Sequence, residues 1–461
     1  MALIRGLVLP PSREDSLPFQ ALLRQFRQDG GSTLGRTLTR SILGVSGILA
    51  LDVCLSIAVA IVLARSLGVA GLGIYSVGVA VGRLLTPLVQ LGLPNLLARE
   101  INHGDARGEL PVIRGVVQFA IAVSLGFSAV FGVAAYLGWP LIAAHLSAAY
   151  AHTILGGLFL TPMVALANVC SGGLQGWHRV SAAATCKTAF PSGAMLMMLL
   201  AALALAPGWL TPERAIGLSV AAYALALALA ATLFLTHTLQ RIGVAQPSYS
   251  IAAWRSSMIR FTAASGLTIA QQQVFVFVLS MFATETQVGL YRIAQRAAGL
   301  ANLGVTTIVR VIGPHIGQSH ARGEKARLQK LVTRGAQAMA VSTLLVVLGF
   351  AGLGGELLDL AVGAEFRPAH LPMVILSFGL FVRACFGPFE MLMNMTGHES
   401  TIIRARAVAM AVALAAAIAL MGENAAVGAS VASALGLLVM ALMLWRDARR
   451  LLDCRTSALG L

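Results

Sequence analysis

The sequence predicts an all-α integral membrane protein with about twelve transmembrane helices. Hydrophobic residues make up 57% of the 461 residues and charged residues only 11%, and the mean hydropathy is +0.82. A soluble domain carries about twice that charged fraction. Many apolar runs reach the roughly 20 residues that a helix needs to cross a bilayer core of about 30 Å. They are continuous and do not alternate, which favours helices over a closed barrel.

Twelve spans are predicted, and none of the polar links between them is long enough to fold as a domain. They lie at 41–64, 69–92, 113–137, 151–173, 181–206, 213–236, 259–282, 286–310, 335–358, 370–393, 404–421 and 424–445. The predicted organisation is a basic arm at 1–40, a six-helix lobe at 41–245, a second six-helix lobe at 246–445 and a basic tail at 446–461.

The net charge of +15 has a topological explanation that does not require nucleic acid. With the N-terminus placed inside, the inside links, arm and tail hold 25 of the 33 Lys and Arg residues, and the outside links hold three. Such a bias is typical of cytoplasmic loops. It predicts a multi-pass membrane protein with both termini in the cytoplasm.

A short internal sequence repeat suggests that the two lobes are structural repeats of each other. The tripeptide at 73–75 is Gly-Ile-Tyr and that at 289–291 is Gly-Leu-Tyr, 216 residues later. Each opens a span after a short outside link. Since six helices separate the copies, both would share one orientation, related by an axis along the membrane normal.

Five arginines remain after the 25 inside and three outside charges are subtracted from the 33, and they lie within predicted spans: Arg83, Arg292, Arg296, Arg310 and Arg383. An arginine near the middle of the bilayer costs at least a few kcal/mol unless it faces water, a partner or a cavity. Snorkelling to the headgroups is a good explanation for Arg310 and a poor one for Arg83 and Arg383.

Helical geometry groups these arginines with other polar residues. On a continuous eighth helix, Arg292 and Arg310 are five turns apart and share one face, with Arg296 nearby. The second helix carries Ser76, Arg83, Thr86 and Gln90 in a similar stripe, and the seventh carries Thr262, Ser265, Thr268 and Gln272. We expect the stripes to line a shared aqueous cavity, with a hydrogen-bonded bundle core as the alternative.

A cationic cavity favours an anionic ligand, and guanidinium groups suit phosphate oxygens. We therefore expect Arg83, Arg292, Arg296 and Arg383, with Gln90 and Gln272, to bind substrate. Asp52 and Glu390 are acids within spans. Each would either neutralise a cavity arginine or couple transport to H⁺ or Na⁺.

No enzyme, cofactor or metal motif is present in the sequence. There is no Gly-Lys dipeptide and hence no Walker A loop, no His-Glu-x-x-His and no Gly-x-Ser-x-Gly. The five cysteines have neither metal-site nor disulfide spacing. We predict no cofactor beyond the coupling ion left open above.

Three stretches resemble the Wzx-type polysaccharide flippases of the multidrug/oligosaccharidyl-lipid/polysaccharide superfamily. The first runs from Leu63 to Tyr75 (LARSLGVAGLGIY) and continues at 91–95 and 98–100. The second is VGLYRIA at 288–294, followed by Pro314, and a weaker third is GAEF at 363–366. The resemblance covers roughly residues 41–440, and the 40-residue basic arm departs from it, which leaves open an extra partner or lipid contact.

The resemblance implies two six-helix lobes around a central cavity that alternates its access. It implies transport of an undecaprenyl-pyrophosphate-linked oligosaccharide from the inner to the outer leaflet of the bacterial cytoplasmic (inner) membrane, in lipopolysaccharide or exopolysaccharide synthesis. Membrane lipids and the polymerase and glycosyltransferases of the same pathway would then be partners.

Three alternatives remain open. A lipid II flippase would use the same physics, although fourteen spans would be typical. A cation-coupled drug exporter would need an acidic cavity, whereas this one is basic. A membrane glycosyltransferase or polymerase would be an enzyme, which the missing catalytic motifs argue against.

Overall fold

A computed structural model describes residues 33–144, 147–206, 208–243, 246–422, 424–452 and 457–458. Most of the predicted basic arm and part of the predicted basic tail lie outside these ranges. Within them the chain is almost entirely helical, as predicted.

The described residues form fourteen α-helices. The first seven are α1 (Thr33–Gln90), α2 (Leu93–Arg107), α3 (Leu110–Ala143), α4 (Ala148–Gly176), α5 (Val180–Leu205), α6 (Pro212–Ile242) and α7 (Ile251–Phe282). The others are α8 (Glu285–Ala298), α9 (Ala301–Ala321), α10 (Lys325–Ala361), α11 (His370–Cys385), α12 (Phe389–Met395), α13 (Glu399–Leu420) and α14 (Ala425–Leu452). A π-helical turn, Thr185–Ala189, interrupts α5, and a 3₁₀ turn, Ala364–Ala369, precedes α11.

The number of membrane crossings agrees with the prediction. Eleven helical segments of the described chain are long and apolar enough to span a bilayer. The first of them, Gly47–Gln90, has 44 residues, about 66 Å of helix at 1.5 Å per residue and twice the hydrocarbon thickness. Gly68 divides it with a non-helical backbone (φ 66°, ψ −178°). Glycine adopts a positive φ without steric cost, so α1 contains two spans and the total is twelve.

The two halves of the chain meet at a pair of glycines that belong to the internal sequence repeat. A Cβ added at Gly73 would lie 2.9 Å from the carbonyl carbon of Glu285, and one added at Gly289 would lie 3.0 Å from that of Val69. Since Glu285 is 216 residues after Val69, and Gly289 is 216 after Gly73, each contact repeats the other with the halves exchanged. This reciprocity is the signature of a two-fold relation.

Further contacts join the halves at the same end of the molecule. Arg65 in α1 donates from Nε to the carbonyl oxygen of Ala361 (2.8 Å) and from a terminal nitrogen to that of Leu360. These carbonyls end α10, where a helix has unpaired acceptors and a partial negative charge. Arg65 therefore fastens the first half of the chain to a helix terminus in the second.

Helix α7 packs on both halves. Trp254, near its start, is buried with residues of α2 and α3, and its ring lies 5.3 Å from that of Phe119. Farther along, Val276 and Leu279 belong to the main core, which combines α1 with α8 and α10. The predicted lobe boundary at 245/246 stays a prediction, because α7 follows the boundary yet contacts the first lobe.

The glycine contact predicts that a side chain there is not tolerated. We expect Gly73→Val and Gly289→Val each to lower the free energy of unfolding by about 1–3 kcal/mol, the usual cost of overpacking. The measurement is the thermal unfolding midpoint of purified protein in detergent. Gly126→Val is the control, because a Cβ at Gly126 meets nothing within 4 Å. Equal midpoints for all three variants would contradict the close contact.

Candidate functional site

A small cationic cavity lies between α1, α6 and α8. It has a volume of about 70 Å³, and its lining includes Arg83, Arg292 and Arg296 but no acidic residue. Arg83 comes from the first half of the chain, and the other two arginines come from the second. The cavity thus forms where the halves face each other, and three cations share it.

Two of the three arginines of this cluster are held by neutral groups. Arg83 donates to the hydroxyl of Tyr223 at 2.8 Å, and its Nε is buried without a partner. Arg292 is only 8% exposed and donates to the amide oxygens of Gln295 (2.9 Å) and Gln273 (3.5 Å).

Arg296 differs from Arg292 in being exposed. No carboxylate among the described residues lies within 4.0 Å of Arg83, Arg292 or Arg296. The positive charge of this cluster is therefore not cancelled by ion pairs, and Arg296 is accessible to a ligand.

Arg296 also borders an apolar cleft of about 210 Å³. The other residues of its lining are all apolar and come from α1, α8, α10 and α11, apart from Leu300 between α8 and α9 and Val362 after α10. The cationic cavity and the apolar cleft therefore adjoin at the side chain of Arg296. A ligand with an anionic group on an apolar chain matches both.

A second, larger cavity of about 570 Å³ lies within the second half of the chain. Its lining is mixed, with three arginines, one glutamate and several neutral polar side chains. The charged lining residues are Arg310, Arg383, Arg406 and Glu390, and the neutral polar ones are Thr268, Gln271, Gln272, Asn302, Thr306 and Ser433.

Glu390 forms ion pairs with two of these arginines. Its carboxylate oxygens lie 3.3 Å from Arg383 and 3.2 Å from Arg406. Arg406 also donates to the hydroxyl of Thr268, which ties α13 to α7. The guanidinium of Arg383 lies over the Phe389 ring at 5.8 Å. These contacts agree with the interpretation of Glu390 as an acid that neutralises cavity arginines, one of the two roles predicted for it.

Comparisons with known proteins identify the family. A family model described as "Polysaccharide biosynthesis protein" matches residues 41–320, more than half of the chain. The chain belongs to this family. The resemblance predicted from the three sequence stretches is thereby confirmed.

One relative of this chain is the probable low-salt glycan biosynthesis flippase Agl15 of Haloferax volcanii. The two are 22% identical over 167 residues, which is 36% of this chain and 35% of that protein. The chain therefore matches about a third of the length of that relative.

Solved structures share the fold of this chain at low identity. An inward-facing multidrug resistance MATE family transporter of the MOP superfamily superposes with a TM-score of 0.70, at 14% identity, over 87% of this chain and 94% of that chain. The lipid II flippase MurJ, in an inward closed conformation, gives 0.64 at 12% identity over 88% and 87%. A MOP superfamily transporter from Pyrococcus furiosus, described as having a binding pocket of reverse polarity, gives 0.63 at 12% identity over 89% and 94%.

A break between two helices divides the predicted stripe on the eighth span between two cavities. Helix α8 ends at Ala298 and α9 begins at Ala301, and the amides of Leu300, Asn302 and Leu303 bond to carbonyls three residues earlier instead of four. This tighter winding changes the face presented beyond the break. Arg292 and Arg296 therefore line the small cavity, whereas Arg310 lines the large one.

The other predicted site residues are divided. Gln272 is exposed and lines the large cavity with Arg383. Gln90 is buried, accepts a hydrogen bond from Asn168 at 3.2 Å and lines neither cavity. Asp52 accepts a hydrogen bond from Ser192 at 2.7 Å and also lies outside both linings.

Among the polar cavity residues that sequence reasoning missed, Arg406 and Tyr223 make the most informative contacts. Arg406 is near the start of its span and was attributed to charge topology, yet its guanidinium reaches Glu390 and the cavity. The only sequence signal for Arg406 was the presence of Glu390 in a span. An acid there needs a cationic partner, but the sequence does not show which arginine provides it. Tyr223, the partner of Arg83, carries no distinguishing signal in the apolar run around it.

The arrangement around Glu390 predicts a large effect of removing its charge. Glu390→Gln leaves Arg383 and Arg406, each about one-fifth exposed, unpaired beside each other. We expect the free energy of unfolding to fall by about 3 kcal/mol, as when one partner of a buried ion pair is removed. Thermal unfolding in detergent measures it.

The matched control is Glu324→Gln. Glu324 also pairs with two arginines, Arg322 and Arg327, but at the surface. Its loss should cost about 1 kcal/mol or less. Similar, small effects of both substitutions would show that the Glu390 pairs do not stabilise the second half of the chain.

Proposed function

We propose that the protein moves a polyprenyl-pyrophosphate-linked oligosaccharide from the inner to the outer leaflet of the bacterial cytoplasmic membrane, as a transporter without enzymatic activity. The transported molecule would be a precursor of a surface polysaccharide. The main observation behind the proposal is that an arginine cluster without ion-pair partners lies next to an apolar cleft, and that Arg296 lines both. A pyrophosphate joined to a prenyl chain has the matching chemistry.

The arginines would bind the pyrophosphate by charge-assisted hydrogen bonds. Arg83 and Arg292 are already oriented by Tyr223, Gln273 and Gln295, so little ordering remains for binding. Arg296 makes no such hydrogen bond within the described part of the chain and would close on the ligand. The prenyl chain would lie along the apolar cleft and extend into lipid, which spares it transfer through the polar interior.

The contacts between the halves support alternating access as the transport mechanism. The Gly73–Gly289 contact and the Arg65 bonds close one end of the molecule, which the charge distribution predicts to be the outer one. Opening there requires these contacts to separate, and the arginine cluster would then be exposed to the other leaflet. Coupling to H⁺ or Na⁺ through Asp52 or Glu390 is an additional proposal, and Asp52 fits it better since Glu390 is held by two arginines.

Two other functions share parts of this geometry. A lipid II flippase would bind the same pyrophosphate, and similarity to MurJ at the level of the fold keeps it as the second candidate. An ion-coupled exporter of cationic molecules is disfavoured, because the small cavity has three arginines and no acid in its lining.

The proposal predicts that arginines of the small cavity are essential for export. Arg83→Ala and Arg296→Ala should each reduce export of the surface polymer at least about tenfold, since one charge-assisted contact contributes about 1.5–3 kcal/mol. Export is measured as surface polymer in a strain that depends on the variant copy, with membrane abundance checked by immunoblot.

Arg255→Ala is the control, because Arg255 is exposed near the start of α7 and lies outside both cavity linings. Normal export by Arg83→Ala and Arg296→Ala at wild-type abundance would refute the proposal.

A further inference from the structure

The large cavity contains cationic groups that the pyrophosphate cannot reach from the arginine cluster. Arg296 and Arg310 are 14 residues apart in sequence, about 21 Å of helix at 1.5 Å per residue. They line different cavities on either side of the α8–α9 break. A pyrophosphate group is far shorter than this separation, so the large cavity would face another part of the same ligand.

The charge of the large cavity is not balanced. Its lining has three arginines and one glutamate, and Glu390 is taken by Arg383 and Arg406. Within the described chain, no carboxylate lies within 4.0 Å of Arg310, and no hydrogen-bond acceptor is recorded for it. The side chain is half-buried at the cavity wall, where an unpaired guanidinium is unfavourable until it meets an anion.

Buried polar atoms of the same cavity, two donors and one acceptor, point to an incomplete hydrogen-bond network. The Nε atoms of Arg383 and Arg406 and the side-chain oxygen of Asn302 are buried without hydrogen-bond partners. Neutral polar side chains such as Gln271, Gln272 and Thr306 complete the lining. Amides and hydroxyls suit sugar hydroxyl groups, whereas the arginines suit a carboxylate or phosphate.

From these observations we infer that the large cavity receives the glycan, and that this glycan carries an anionic group, a carboxylate or a phosphate, bound by Arg310. The inference rests on the proposed function and narrows its substrate class from lipid-linked oligosaccharides in general to acidic ones. Arg383, Glu390 and Arg406 shape the cavity and supply its residual positive charge, while Arg310 makes the decisive contact.

The test uses purified full-length protein in liposomes and two matched probes. Both are undecaprenyl-pyrophosphate disaccharides, one ending in glucuronic acid and the other in glucose, and they differ only in one carboxylate. Movement across the bilayer is followed as the fraction of sugar that becomes accessible to periodate added outside. We expect the acidic probe to move about tenfold faster at equal, limiting concentration, because one charge-assisted contact is gained.

Substitutions at one position assign this preference to the cavity. Arg310→Gln should lower the acidic-to-neutral rate ratio from about ten to about one, and Arg310→Lys should restore most of it, since the charge is kept. Arg255→Gln, an exposed arginine outside both cavities, should leave the ratio as in the wild type.

The possible outcomes separate the two proposals. Equal rates for both probes in the wild type, or an unchanged ratio in Arg310→Gln, would overturn the inference and leave the proposed function standing. Movement of neither probe would refute the proposed function and the inference with it.

Discussion

An arginine cannot remain in hydrocarbon without water, a partner or a cavity, and this constraint organises the whole interior of the protein. Six arginines, five predicted from the spans and Arg406 found in the structure, lie along the cavity walls. They separate into a cluster with neutral partners and a group partly neutralised by Glu390. The apolar helices surround both of these sites.

The two halves of the chain depend on each other to build the first of these sites. Reciprocal contacts of Gly73 and Gly289 bring α1 and α8 together, and this approach places Arg83 and Arg296 in one cavity. Neither half contains the cluster alone. A motion that separates the halves would therefore change the charge presented to a ligand at the same time as the access, which suits a transporter that must release an anionic group.

Much of the fold could be predicted from the sequence, because apolar run length and Lys/Arg asymmetry are strong one-dimensional signals. The twelve spans and the cationic interior follow from them. The break after Ala298 could not be predicted, since Gly299 and Leu300 are compatible with a continuous helix, and it divides the predicted stripe between two cavities. Gln90 was placed on a cavity face, yet packing against Asn168 decides its position. Arg406 was missed because ion pairing across helices depends on tertiary contacts.

The central claim is that the small arginine cluster binds the pyrophosphate of a prenyl-linked ligand. Native mass spectrometry of the purified protein with undecaprenyl pyrophosphate and with undecaprenol, which lacks the charge, tests it most directly. The account predicts that the pyrophosphate binds at least about tenfold more tightly and that an Arg292→Gln/Arg296→Gln variant loses this difference. Equal binding of both lipids by the wild type, or a preference that survives in the variant, would contradict it.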